Sequence, residues 1–250
     1  SGTTARMLLG ILCGQGIKAK LTGDASLLLR PMKRIIDPLT LMGAEITSSS
    51  NKFPLEIHSG SRQSIIYKKK TKSAQVKSSL IFAGLGSKEY SSISFDKDTR
   101  DHTENFLRFI GNDIKINGKI MIRSSAMEKG FNMEVPGDIS NASFIIAAAI
   151  LIPDSRITIK NLLYNKTRMG FIHALIKMGA DISIDNIKPS FCERVCDLTA
   201  SYSPSLRGIE INKDNLLHMI DEIPVFSNPI FEVFGSLPIE IKIVSKFSVK

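Results

Sequence analysis

The sequence predicts an α/β fold built from a repeated β-α-β-α-β-β unit, and three observations carry that expectation. Gly43, Gly111 and Gly179 recur at a spacing of 68 residues, inside the similar octets Leu39–Ile46, Leu107–Ile114 and Leu175–Ile182. Each glycine ends an apolar-periodic helix and precedes a strand-like run, which suits a left-handed position just past a helix end. The helices that come earlier in each repeat open on small polar residues: Thr3-Thr4, then Ser73-Ala74-Gln75, then Ser140-Asn141-Ala142-Ser143. Between the two helices of each repeat lies a β-patterned run, Lys18–Thr22, Ser92–Phe95 and Arg156–Lys160. Alternation of helix and strand periods places helices on sheets.

Taken in order, Ser1-Gly2-Thr3-Thr4-Ala5-Arg6 runs directly into the apolar stretch Met7–Cys13. That reads as a helix start, so the first repeat's opening strand is expected upstream of Ser1. Two strands are expected after each of the three glycines. Gly130–Asp138 joins the second repeat to the third and contains the turn signal Pro136-Gly137. A domain boundary is placed there, giving residues 1–135 and 136–227, with 228–250 as a divergent tail. Residues 187–208 contain Pro189, Pro204 and a Cys192/Cys196 pair and are expected to be irregular. Leu216–Ile220 reads as an apolar, helix-like run ending at Asp221-Glu222-Ile223-Pro224.

Composition narrows the function. Of 250 residues, 43% are hydrophobic and 23% charged, too apolar for a mainly disordered chain. Three cysteines exclude a disulfide-stapled module. The longest apolar stretch, Phe144–Ile152, is about half of what a bilayer-spanning helix needs. No signal peptide pattern opens the chain, and a cytoplasmic location is expected. Lys and Arg number 33 against 24 Asp and Glu, a net charge of +9. Such a surplus suits nucleic acid, an acidic membrane surface or small anions. The one basic run is Lys68-Lys69-Lys70-Thr71-Lys72, aromatics are 7% and Trp is absent. Stacking platforms are therefore scarce, and neither nucleic acid nor membrane is expected as a partner. Cys192 and Cys196, without further Cys or His nearby, make a poor zinc site, so no metal is expected. Cys13 reads as a small core residue.

Small anions remain. A helix start offers free N–H donors and about half a positive charge, and small residues let an anion approach the backbone. Arg6, Arg30 and Arg100 lie beside helix starts or in turn-like segments, and Arg grips phosphate or carboxylate with two donors. Arg30 precedes Pro31, which suits a first helical turn. Spacing alone leaves two readings of Asp221-Glu222: a base, or the polar end of an apolar run.

Seven ordered motifs then carry a family resemblance. They are Ser1-Gly2-Thr3-Thr4-Ala5-Arg6, Leu21-Thr22-Gly23-Asp24, Leu29-Arg30-Pro31-Met32, Ser73-Ala74-Gln75-Val76-Lys77-Ser78, Thr99-Arg100-Asp101-His102-Thr103-Glu104, Pro136-Gly137-Asp138-Ile139-Ser140 and Asp221-Glu222-Ile223-Pro224. Over about Ser1–Ser227 the chain resembles the 3-phosphoshikimate 1-carboxyvinyltransferase (EPSP synthase) family. The resemblance implies an enolpyruvyl transferase-like fold: two domains of β-α-β-α-β-β units around pseudo-threefold axes, incomplete here. It implies transfer of the enolpyruvyl group of phosphoenolpyruvate to the 5-hydroxyl of shikimate 3-phosphate, releasing phosphate, on the way to chorismate and aromatic amino acids. No cofactor and a monomer are implied. By the match, Gly2, Arg30 and Gln75 contact phosphoenolpyruvate. Ser73, Ala74, Gln75 and Arg100 hold shikimate 3-phosphate, and Asp221 both contacts it and accepts the 5-hydroxyl proton.

Departures from the family pattern set expectations too. The family's N-terminal Lys-Ser pair and Arg have no counterpart here, nor does its later Lys-Glu-Ser/Thr-Asp-Arg motif, and Phe226–Lys250 resembles none of the family's continuation. Lys69, Lys70 and Lys72 replace an apolar strand ending in Pro and Ala, which would cost several kcal/mol unless the charges stay solvated. The sister transferase acting on UDP-N-acetylglucosamine uses a loop Cys that Cys13, Cys192 and Cys196 do not match. The alternative function is an inactive fragment of the same enzyme with at most weak anion binding.

Overall fold

The computed structural model describes residues 1–60, 62–96, 99–125, 130–211, 216 and 218–227, with the side chains at 70, 71, 226 and 227 set aside. The architecture is α/β, and the chain divides into two compact units, Ser1–Gly130 and Phe131–Lys250.

The first unit opens with helix α1 (Gly2–Gln15), capped by the Ser1 hydroxyl, which accepts from the Thr4 N–H at 3.5 Å. Strand β1 (Ala19–Leu21), the short helix α2 (Ala25–Leu28) and helix α3 (Lys33–Leu41) follow, then strands β2 (Glu45–Ser48) and β3 (Leu55–Ser59). The second repeat supplies β4 (Ile66–Thr71), α4 (Ala74–Gly84), β5 (Ser91–Phe95), α5 (His102–Phe109), β6 (Ile114–Ile116) and β7 (Ile120–Ile122). The sheets have the orders β1-β3-β2 and β4-β5-β7-β6. Strand β4 runs parallel to β5, and the other pairings are antiparallel.

Helices α1 and α4 occupy equivalent places in the two repeats and pack against each other in parallel. Glycine makes this possible. A Cβ on Gly10 would run into the Ser79 carbonyl, one on Gly14 into the Ala83 carbonyl, and one on Gly86 into the Gly14 carbonyl. Around this contact Leu9, Cys13, Leu80, Ile81, Ile93 and Ile120 form one buried core. Burial pushes the Cys13 thiol up to about 12, so it stays protonated and behaves as a core residue.

The second unit repeats the plan with α6 (Ile139–Leu151), β8 (Arg156–Leu163), α7 (Gly170–Lys177), β9 (Asp181–Ser190), β10 (Glu193–Ser201) and a short closing helix, α8 (Ile223–Ser227). Its sheet order is β8-β10-β9, the order seen for β1-β3-β2 and for β5-β7-β6. Gly137 makes a parallel bridge to Leu162 of β8, at the place that β4 takes beside β5. The core gathers Ile146, Ile150, Phe171, Leu175 and Leu198.

The three marker glycines take φ of 90°, 83° and 96°, the left-handed conformation expected of them. Other expectations are corrected. Residues 187–201 are not irregular: β9 and β10 form a long antiparallel hairpin that turns at Phe191 and Cys192. Pro189 is tolerated because β9 is an edge strand, where a missing N–H leaves no ladder bond unmade. The helix expected to open on Ser140 begins at Ile139, capped by Asp138, whose carboxylate accepts from the Ser140 N–H at 3.3 Å. Pro31 lies outside α3, which starts at Lys33 behind Met32. Helix α2 was not foreseen: Asp24 caps it by accepting from the Leu27 N–H at 2.7 Å. Of the helix-like run expected at Leu216–Ile220, Leu216 is helical and His218–Glu222 form turns, while 212–215 and 217 lie outside the described residues. Lys68, Lys69 and Lys72 are exposed on or beside the edge strand β4, so their charges stay in water.

Two glycine substitutions separate close approach from backbone conformation. Gly111→Ala meets nothing within 4 Å but must hold φ at 83°, and should cost roughly 1 kcal/mol. Gly14→Ala forces α1 off α4 and should cost about 2–3 kcal/mol. Urea unfolding midpoints measure both, and equal losses would contradict the packing described.

Candidate anion site and active site

In the first unit the parallel packing of α1 and α4 brings two helix starts together. Arg6, on the second turn of α1 and only 6% exposed, donates through Nη1 to Oε1 of Gln75 at 2.6 Å. Gln75, on the first turn of α4, donates through Nε2 to the Thr3 hydroxyl at 2.9 Å. Gly2 sits against both Arg6 and Arg30: a Cβ there would lie 2.8 Å from Arg30 Nη1 and 3.2 Å from Arg6 Nη1. Burial, then the neighbouring Arg34 and Arg30 charges, pull the Arg6 guanidinium below its ordinary value. Its Nε is buried with no hydrogen-bond partner. Two guanidinium groups converge on Gly2 beside two positive helix ends, with a buried donor unused, an arrangement that suits an anion.

Ser73 caps α4, its hydroxyl accepting from the Val76 N–H at 3.5 Å, and Ala74 is the helix's first residue. Arg100 lies in the segment that leads into α5. That segment is tied to α4 from beneath. Lys77, fully buried, pairs with Glu104 Oε1 at 2.6 Å, donates to the Thr99 carbonyl at 3.4 Å and sits 5.0 Å from the Phe95 ring centre. The Ser78 and Thr103 hydroxyls bond at 2.7 Å. These contacts link the Ser73-Ala74-Gln75 start to the Arg100 segment. Glu104 Oε2 has no partner, and burial pushes this carboxyl above its usual range, with Lys77 pulling the other way.

Asp221 belongs to the second unit. Arg168, 7% exposed, donates through Nη1 to Asp221 Oδ2 at 3.2 Å and through Nη2 to Asp138 Oδ1 at 2.7 Å and the Ser140 hydroxyl at 2.6 Å. Ser140 in turn donates to the buried Glu222 carboxylate. The Asp221 side chain stays half exposed.

Of the sequence-derived candidates, Gly2, Arg30, Ser73, Ala74, Gln75 and Arg100 lie in the first unit, with Gly2, Arg30 and Gln75 directly around Arg6. Asp221 stands in its own cluster in the second. Sequence reasoning had noticed Arg6 without placing it in the site, and it missed Arg34, Lys77, Glu104 and Arg168. Two signals were available. Lys77 shares a helix face with Leu80 and Ile81, three and four residues on, a position that burial forces to find a partner. Arg168 follows Arg100 by 68 residues, the spacing of the marker glycines.

A repeated α/β architecture with an anion site at paired helix starts defines a class, and comparison with known proteins gives the family. The model of the family EPSP synthase (3-phosphoshikimate 1-carboxyvinyltransferase) matches residues 1–247, a span that reaches into the segment set apart above as a divergent tail. The 3-phosphoshikimate 1-carboxyvinyltransferase of Geobacillus kaustophilus is 42% identical over 91% of this chain and 54% of its own length. That of Thermoanaerobacter sp. (strain X514) is 40% identical over 100% of this chain and 59% of its own. The EPSP synthase structure from Acinetobacter baumannii superposes with a TM-score of 0.77 at 38% identity, over 90% of this chain and 52% of that one. The chain belongs to the EPSP synthase family. It spans about half the length of the curated relatives it matches.

The Lys77–Glu104 pair makes a stability prediction with a definite pH sign. Because the folded state holds the Glu104 proton to higher pH than the unfolded chain, stability falls as pH rises from the ordinary glutamate value to the folded one. Lys77→Met removes the opposing cation and should cost about 3–5 kcal/mol at pH 8, and less at pH 5. Lys77→Met/Glu104→Leu should recover most of that loss. Chemical denaturation at the two pH values checks it, and a loss independent of pH would contradict the assignment.

Proposed function

We propose that this chain serves enolpyruvyl transfer from phosphoenolpyruvate to the 5-hydroxyl of shikimate 3-phosphate, with release of phosphate. The observation that carries the reading is the Arg6–Gln75–Thr3 network beside Gly2 and Arg30, an anion site at two helix starts. Gly2, Arg30 and Gln75 receive phosphoenolpyruvate; the missing Cβ at Gly2 leaves the guanidinium groups room to close on it. Ser73, Ala74, Gln75 and Arg100 hold shikimate 3-phosphate, whose phosphate gains from the α4 N-terminus. Asp221 contacts the same substrate and takes the proton displaced from the 5-hydroxyl as its oxygen bonds to the enolpyruvyl carbon. Residues 1–135 belong, on this reading, to the N-terminal domain of the family fold and 136–227 to the C-terminal domain. The reading also takes the chain to be a cytoplasmic monomer that acts without a cofactor.

Calorimetric titration with shikimate 3-phosphate, followed by phosphate release on adding phosphoenolpyruvate, tests this. Saturable binding with turnover is expected. Arg30→Ala should weaken phosphoenolpyruvate at least about tenfold, the worth of one charge-assisted hydrogen bond. Asp221→Asn should abolish turnover while leaving shikimate 3-phosphate bound. Binding without turnover in the unaltered chain would support the weak anion binder instead, and no binding would overturn both.

A further inference from the structure

A buried ion pair is a weak source of stability, because an apolar pair of similar size does as well or better. The fully buried Lys77–Glu104 pair also fixes geometry. The Lys77 ammonium meets Glu104 Oε1 on α5, the Thr99 carbonyl and the ring of Phe95, the last residue of β5. Arg100 lies in the chain between the Thr99 and Glu104 contacts. The next residue of α4, Ser78, bonds the Thr103 hydroxyl through its own. The chain that leaves β5 and enters α5 is thus tethered on both sides of Arg100 to one turn of α4. That turn also holds the helix start: the Lys77 N–H donates to the Ser73 carbonyl at 3.1 Å, and Ser73 caps the helix.

We infer that Lys77 is the positioning residue for Arg100, with Ser78 as a second tether, so that the α4 start and the Arg100 segment face shikimate 3-phosphate as one unit. An arginine grips a phosphate through a planar fork of donors, so its grip depends on where the segment behind it is held. Hydrogen bonds and ion pairs fix direction, and an apolar contact of equal size does not. One ammonium at position 77 reaches the Thr99 carbonyl and the Glu104 carboxylate together, which no apolar side chain there can do. Replacing the whole pair by apolar residues therefore restores packing without restoring the placement of Arg100. The inference deepens the proposed function and rests on the role it gives Arg100.

Lys77→Met/Glu104→Leu separates placement from stability, since its urea midpoint should stay near that of the unaltered chain. Calorimetry should show shikimate 3-phosphate bound about tenfold more weakly, the scale of one charge-assisted hydrogen bond. In an Arg100→Ala background the same two substitutions should weaken it no further, because the group they position is gone. Unchanged affinity in the folded variant overturns the inference. So does an equal loss with and without Arg100, which a general structural defect would give. Without substrate, amide hydrogen exchange over residues 99–104 should quicken about tenfold. The Gly10 and Gly14 amides, at the α1–α4 contact, should keep their rates. Should the double variant fail to fold, Ser78→Ala decides: it should weaken shikimate 3-phosphate about threefold, the scale of one neutral hydrogen bond, and no change overturns the inference. A chain that binds no shikimate 3-phosphate sinks the proposed function, whereas the exchange comparison still decides whether Lys77 holds the Arg100 segment.

Discussion

The contact between α1 and α4 is the constraint on which the first unit depends. Two helices from equivalent repeat positions lie side by side because Gly10, Gly14 and Gly86 present no Cβ at the points of closest approach. Parallel packing sets their positive ends together, which is unfavourable by itself and becomes favourable when an anion sits between them. Arg30 and Arg34 add to the same potential, and the Arg6 guanidinium is lowered first by its burial and then by these two charges. On the function proposed above, a bound anion would offset the repulsion among these positive groups.

Repetition places one arginine in three different settings. The sheet order is common to all three repeats, and so is the arginine ahead of the second helix. What differs is the company each arginine keeps. Arg30 meets Gly2 and other cations, a setting for an outside anion. Arg168 meets Asp138 and Asp221, carboxylates of the chain itself. Burial does the rest: Lys77 and Glu104, removed from water, must satisfy one another, and in doing so they fix α4 to the segment that carries Arg100.

Elements governed by local rules were legible in the sequence. Gly43, Gly111 and Gly179 announced their left-handed turns because few other residues adopt that conformation cheaply. Gly2, Arg30, Ser73, Ala74, Gln75, Arg100 and Asp221 came from the family resemblance carried by their motifs, not from local rules, and the structure supplied neighbours for those motifs. The β9–β10 hairpin was illegible because Pro189 and the paired cysteines mimic a loop, and only the edge position of β9 makes that proline harmless. Arg168 was overlooked because its partners, Asp138 and Asp221, lie 30 and 53 positions away, and spacing alone does not reveal such pairings. The cost expected of Lys69, Lys70 and Lys72 held only if they left water, and the edge strand keeps Lys69, with Lys72 just beyond it, in solvent.

Nitrogen-15 NMR of the arginine side chains during a phosphoenolpyruvate titration addresses the central claim most directly, because Arg6 Nε is a buried donor with no partner at the point where the two helix starts meet. The account predicts a saturable shift of the Arg6 Nε–H signal, accompanied by the Gly2 and Gln75 amides, that survives moderate salt. An unmoved Arg6 signal, with changes confined to Lys68, Lys69 and Lys72 and erased by salt, would show that the paired helix starts do not form the anion site.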